Sequence, residues 1–231
     1  MPMFRSFVPK PMQPWIFVVF VIIDQLTSGV YLASLSQMFS GLSLLREDIM
    51  MCGYAHMLGL VMPFPVLFRL KFRFTNRQIH LLCVSVLLVC NFTAMLAPPL
   101  PVLWFVCFVS GWFKLWGTFE CMSNIQLWMT PKRDFTIFFP LLYILILGDL
   151  QWSDVMTTYV AYFTSWRYVH LFVIGLLLTM GLAMFLLLQH FRFMKPMPLI
   201  SIDLLGGMLW AATGLQLAWL FGYGEHYGWL A

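Results

Sequence analysis

The sequence predicts an all-α polytopic membrane bundle of about seven transmembrane helices. Of the 231 residues, 61% are hydrophobic and 10% are charged, whereas roughly a quarter of the residues of a soluble domain are charged. Seven continuous apolar runs are each long enough to cross a hydrocarbon core of ~30 Å as a helix. They do not alternate polar and apolar residues, which favours helices over barrel strands. The runs are residues 15–36, 49–68, 78–97, 102–129, 136–152 (with an extension toward Tyr162), 168–189 and 200–222.

The basic residues predict the orientation of these helices. Ten lysines and arginines precede the first run or lie in loops on that same side, and only Arg46 and Arg167 lie on the other side. Since cytoplasmic loops are rich in Lys and Arg, the N-terminus is predicted to be cytoplasmic in a plasma (inner) membrane, and seven spans place the C-terminus outside. The net charge of the chain is +4. Its basic residues lie in short loops, where membrane orientation and contact with anionic lipid headgroups explain them, so a nucleic-acid partner is not predicted.

Asp24, Lys114 and Glu120 are charged residues that lie inside the apolar runs. Asp24 and Lys114 both fall near the membrane centre, where a charge costs at least ~2.5–3.5 kcal/mol on insertion scales. Pairing across helices would offset much of that cost, so two interpretations stay open: a solute- or proton-coupling pair, or a structural ion pair that fixes helix packing. Glu120 points about 120° away from Lys114 on a helical wheel. It is expected in the cytoplasmic half, either as a secondary coupling residue or as a carboxylate that snorkels to the interface.

Two runs also carry a polar face. In the first run, Thr27, Ser28 and Tyr31 lie at i+3, i+4 and i+7 from Asp24, which places them on one helix face. A polar face in lipid must contact protein or a water-filled cavity, so these residues join the predicted coupling site. The small residues of the second face, in the fourth run, also permit close helix packing. That face is Ser110, Lys114, Gly117, Thr118 and Cys121.

His56 and His170 are the remaining candidates for a site. Both lie toward the external half of their runs, and His56 is included in the coupling site. The two histidines could ligate a haem in a membrane redox protein, but they form no ligating repeat on one helix, and polar contacts are the prediction. No P-loop, HExxH, GxSxG or kinase pattern is present, so the sequence predicts neither an enzyme nor a metal or cofactor site.

The order of features resembles the major facilitator superfamily, and within it the fourteen-helix drug:proton antiporter branch. Asp24 is similar to the acidic residue of that branch's first helix. "FVSGWF" (108–113) resembles the fourth-helix signature around Gly111, and Lys114 supplies a positive charge one turn after it. "SWRYVHLF" (165–172) resembles the opening of the sixth helix, and residues 202–229 resemble the seventh. The basic loop "FRLKFRFTNRQ" (68–78) occupies the place of the second-to-third-helix signature, which implies a cytoplasmic gating loop with Arg69, Lys71, Arg73 and Arg77.

This resemblance implies a domain plan and an activity. The plan is a cytoplasmic tail (1–13), a six-helix N-terminal transporter bundle (14–190), and a cytoplasmic loop, seventh helix and start of an external loop (191–231). The implied activity is movement of a small organic solute through the lipid bilayer, with multidrug efflux as one candidate. Substrate sites of such transporters lie between two halves, so the chain is expected to be a fragment that needs a C-terminal half or a second copy of itself. The rival interpretation is an inactive remnant or a membrane scaffold subunit.

Overall fold

The computed structural model describes residues 3–27, 38, 45–129, 135–192 and 204–228. Within them the chain is helical and contains no β-strand, only an isolated antiparallel bridge between Phe4 and Leu188. The all-α prediction is therefore confirmed. In chain order the helices are α1 (Gln13–Gln25), α2 (Arg46–Val61), α3 (Phe64–Arg73), α4 (Asn76–Met95), α5 (Leu100–Met129), α6 (Phe135–Tyr143), α7 (Asp149–Phe163), α8 (Trp166–Leu187) and α9 (Leu204–Tyr227).

Four segments of the described chain are long and apolar enough to cross a membrane. They are Asn76–Met95, Leu100–Leu127, Phe138–Phe163 and Trp166–Leu187. The third contains the π-helical turn Ile144–Gly148 that joins α6 to α7, so the predicted extension of the fifth run toward Tyr162 is confirmed. The first, second and seventh runs correspond to α1, to α2 with α3, and to α9. The total of seven spans stays a prediction.

Proline chemistry sets a boundary inside the second run. The sequence predicts a continuous span over 49–68, but α2 ends at Val61 and α3 begins at Phe64, with Pro63 as its N-cap. A proline has no N–H to donate and its ring clashes with the preceding turn, so the helix breaks here. The next helix, α4, begins at a capping box in which the Thr75 hydroxyl accepts from the backbone N–H of Gln78.

The long helix α5 lies at the centre of the bundle, in contact with α1, α2 and α4. Its contact with α2 is the closest, because glycines face each other there. A Cβ added at Gly59 would clash with the backbone carbonyl of Phe108, and a Cβ added at Gly111 would clash with that of His56. Small residues at such a crossing let two helix backbones touch.

Two further contacts close the bundle. Helix α8 packs on α4. At the start of α4, the backbone N–H of Asn76 donates to the carbonyl of Phe191, which follows α8, at 2.9 Å. At the other end, α9 packs on α2, where the Tyr223 hydroxyl donates to the Asp48 carboxylate.

Candidate functional site

Lys114 lies inside the bundle at the C-terminal end of α1. Its side chain is 2% exposed, and Nζ donates to the backbone carbonyl of Asp24 at 2.6 Å and to Oγ1 of Thr27 at 2.8 Å. The last carbonyls of a helix lack intrahelical partners and carry the negative end of the helix dipole. A buried ammonium is therefore held by backbone and hydroxyl oxygens at this position.

The Asp24 carboxylate points to α5 as well, but it does not bond Lys114. Its Oδ2 accepts from the Thr118 hydroxyl, which in turn accepts from Nε2 of Gln25 at 3.4 Å. Its Oδ1 is buried without a hydrogen-bond partner among the described residues. The predicted proximity of Asp24 and Lys114 is observed, whereas a direct pairing of carboxylate and ammonium is wrong: the end of α1 supplies the lysine with nearer oxygens. We call Asp24, Thr27, Lys114 and Thr118 the Asp24 site.

Glu120 forms a second buried charged cluster with Lys71 of α3. Lys71 Nζ lies 3.4 Å from Glu120 Oε2, with the two side chains 8% and 1% exposed. The ammonium also donates to the hydroxyl of Ser123 and lies 5.7 Å from the ring centre of Phe119. We call Lys71 and Glu120 the Glu120 pair.

The Glu120 pair corrects two predictions. Glu120 does not snorkel, because its side chain is fully buried and a cation reaches it from α3. Lys71 does not belong to a solvent-exposed loop: with Arg69 and Arg73 it lies on α3. Arg69 is exposed, and Arg77 lies in the first turn of α4 with its guanidinium 4.5 Å from the ring centre of Phe185. The four basic residues therefore lie on two helices, and one of them is part of the interior.

The polar face predicted for the fourth run is confirmed as the interior face of α5. Its first residue, Ser110, lies 3.0 Å from Nδ1 of His56 on α2, and Lys114 and Thr118 contact α1 as described. Gly117 and Cys121 face α4, where Sγ of Cys121 lies 3.9 Å from Nδ1 of His80. Of the predicted site residues, Ser28 and Tyr31 lie outside the residues that the structure describes.

Three polar residues of this interior were missed in the sequence. His80 is fully buried on α4. Asn124 extends the polar face of α5 by one turn, and its Nδ2 donates to Oδ1 of Asn76 at 3.1 Å. The spacing of three residues from Cys121 to Asn124 continues the same helix face and could have revealed Asn124. We call Ser110, Lys114, Gly117, Thr118, Cys121 and Asn124 the α5 polar face.

The two histidines considered for haem binding lie in different helix interfaces. His56 bonds Ser110 between α2 and α5, whereas Nδ1 of His170 lies 3.2 Å from Oδ1 of Asn91 between α8 and α4. Polar contacts, the predicted role of both residues, are therefore confirmed.

Fold and site together define an all-α helical membrane bundle that encloses two charged clusters on one central helix. No protein-family model matches the chain, and no curated protein matches it.

Proposed function

We propose that the chain is the solute-handling bundle of a facilitator-type transporter that moves a small organic solute across the plasma membrane, with its N-terminus in the cytoplasm. The observation that carries this proposal is the Asp24 site. Ionisable residues at membrane depth are costly, and they commonly mark solute or ion pathways. Here an aspartate and a lysine are both buried at the contact of α1 with α5.

The Asp24 carboxylate is the group that would bind the solute. One oxygen is held by Thr118, which fixes the orientation of the group, while Oδ1 has no protein partner in the described chain. An anionic oxygen with free acceptor capacity favours a cationic or hydrogen-bond-donating solute. Lys114, bound to the end of α1, would hold that helix end in place while the carboxylate exchanges partners.

The Glu120 pair would act as a structural brace for this bundle. It joins α3 to the second half of α5, which is the cytoplasmic half in the orientation that the sequence predicts. The Glu120 carboxylate has an ammonium 3.4 Å away, whereas Lys114 bonds backbone and hydroxyl oxygens rather than the Asp24 carboxylate, and for that reason we assign no solute contact to the Glu120 pair.

Binding of an organic cation to the full chain tests the proposal. The 231-residue protein in lipid nanodiscs is titrated with radiolabelled tetraphenylphosphonium, and saturable binding is expected. Asp24→Asn should weaken binding about ten-fold or more, which corresponds to ~1.4 kcal/mol or more. Asp154→Asn is the matched control, because Asp154 is an exposed carboxylate on α7, and it should bind as the native chain does.

Two results would contradict the proposal. Equal affinity of the native chain and Asp24→Asn would remove the carboxylate from the site. Absence of saturable binding to the well-folded native chain would reject the solute site and favour a scaffold subunit.

A further inference from the structure

The N-terminal segment folds back onto the end of α8 and brings an arginine there. The backbone N–H of Arg5 donates to the carbonyl of Leu187 at 2.9 Å, and the backbone N–H of Gln189 donates to the carbonyl of Met3 at 2.8 Å. These two bonds fix the segment beside the last residues of α8. The Arg5 guanidinium donates to the carbonyl of Phe185 at 3.4 Å, so its charge lies at the end of this helix.

Arg77 reaches the same phenylalanine from the first turn of α4. Its guanidinium lies 4.5 Å from the centre of the Phe185 ring, and a cation in this position is attracted by the ring. The Nε atom of Arg77 is buried, but the terminal nitrogens are not, and they form no hydrogen bond with the described residues. The ring contact therefore helps to hold the guanidinium in place while its terminal nitrogens stay open to a ligand.

The positive charge at this position is not balanced by the protein. Among the described residues, no carboxylate lies within ion-pair distance of Arg5 or Arg77. Arg192, just beyond α8, is exposed and adds to the charge at this end. Because arginines stay charged and like charges repel, an anion bound here is stabilised. Phosphate is the anion whose oxygens match the planar donor fork of a guanidinium.

An apolar stripe leads from the two arginines back along the membrane-crossing part of α8. Leu178, Leu182 and Phe185 are 55%, 61% and 50% exposed, and their spacing of four and three residues places them on one face of the helix. The stripe is roughly 10 Å long at 1.5 Å per residue. A phosphate that carries acyl chains would contact both the arginines and this stripe, whereas a free phosphate would contact the arginines alone.

We propose that Arg5 and Arg77 bind the phosphate of an anionic phospholipid whose acyl chain lies on the stripe of Leu178, Leu182 and Phe185. In the orientation that the sequence predicts, this end of α8 is cytoplasmic, and the cytoplasmic leaflet carries anionic lipids. The bound lipid connects the N-terminal segment to α4 across the end of α8. The site contains no residue of the Asp24 site and does not rest on the proposed solute binding.

Native mass spectrometry of the full chain in a non-ionic detergent tests the site. The protein is titrated with dioleoyl phosphatidylglycerol, which is anionic, and with dioleoyl phosphatidylcholine, which has the same acyl chains and no net charge. The first molecule of phosphatidylglycerol should bind about ten-fold more tightly than the first molecule of phosphatidylcholine.

Two double variants of equal charge then locate the binding. Arg5→Gln with Arg77→Gln should weaken binding of phosphatidylglycerol about ten-fold and leave binding of phosphatidylcholine unchanged. The matched control is Arg46→Gln with Arg167→Gln, at exposed positions at the start of α2 and of α8, and it should bind both lipids as the native chain does. Arg167 is a close match for Arg77, because its guanidinium also lies over a ring, 5.4 Å from the centre of Trp166.

A second pair of variants tests the acyl-chain contact. Leu182→Ser should weaken binding of phosphatidylglycerol about three-fold, because it removes an apolar side chain from the stripe. Leu209→Ser, at a position of α9 that is 62% exposed, is the control and should have no effect. An excess of inorganic phosphate should not displace phosphatidylglycerol from the native chain.

Each part of the proposal can fail separately. Equal binding of phosphatidylglycerol to the native chain and to the Arg5 and Arg77 double variant would overturn it, as would an equal loss in the two double variants. Displacement by inorganic phosphate, or native binding in Leu182→Ser, would overturn the assignment to a lipid. If the double variant is not monodisperse, Arg5→Gln alone is measured, since it leaves α4 intact; native binding in that variant would remove Arg5 from the site.

Discussion

Removal of the Glu120 charge should destabilise the bundle more than removal of any exposed carboxylate. In Glu120→Gln the side chain keeps its shape, but Lys71 is left as a buried ammonium with a neutral partner. Two unit charges 3.4 Å apart attract by about 5 kcal/mol at an effective dielectric constant of about 20. Breaking one partner of a buried pair typically costs ~3–5 kcal/mol, so we expect a loss in that range.

The partner substitution shows whether the loss comes from the pair itself. Lys71→Met leaves the Glu120 carboxylate buried and should also cost ~3–5 kcal/mol. The double variant removes both charges, so its cost should fall at least ~2 kcal/mol below the sum of the two single costs.

Unfolding by sodium dodecyl sulfate in mixed micelles measures these differences through fluorescence of the 10 tryptophans. Lys10→Gln, at an exposed position before α1, is the control and should change the free energy of unfolding by less than ~0.5 kcal/mol. The reasoning fails if Glu120→Gln costs under ~1 kcal/mol, or if the two single costs add to within ~0.5 kcal/mol in the double variant.

Three further predictions concern helix contacts and topology. Lys114→Met should lower the free energy of unfolding by at least ~1 kcal/mol more than Asp24→Asn does in the same titration. The reason is that Lys114 bonds a backbone carbonyl, which Asp24→Asn leaves in place. A larger loss in Asp24→Asn would contradict this geometry. Gly59→Ala should lower the free energy of unfolding by ~1–3 kcal/mol, because it overpacks α2 against α5. Gly175→Ala, the control, should be neutral or stabilising by up to ~1 kcal/mol. Equal effects of the two substitutions would contradict the close crossing. A reporter active only in the cytoplasm, fused after Ala231, should be inactive, and strong activity would disprove the span count or the orientation.

Much of the fold follows from composition and periodicity. Long apolar runs without alternation leave helices as the structure that satisfies the backbone in lipid, and the spacing of Ser110, Lys114 and Thr118 identified the interior face of α5. The break at Pro63 was not predicted, because a proline can also bend a continuous helix and the sequence does not show whether neighbouring groups re-satisfy the freed backbone.

The partners of the charged residues could not be predicted in the same way. A helical wheel shows that Lys114 and Glu120 point in different directions, but which group meets each of them depends on how α1 and α3 pack against α5. Lys71 was interpreted as a loop cation because it follows an apolar run, and only the position of α3 brings it to Glu120. His80 lies near the start of α4, where a polar residue also fits the membrane interface, so its burial is a tertiary effect.

The glycine crossing of α2 and α5 differs in kind from the contact of α1 with α5. Backbones that touch at Gly59 and Gly111 have no intervening layer of side chains that could repack. Helix α1 is held to α5 through the side chains of Lys114 and Thr118, which can exchange partners by rotamer changes. If Asp24 binds a solute as proposed, the contact of α1 with α5 is one whose side-chain bonds can rearrange, and Lys114 bonds across it.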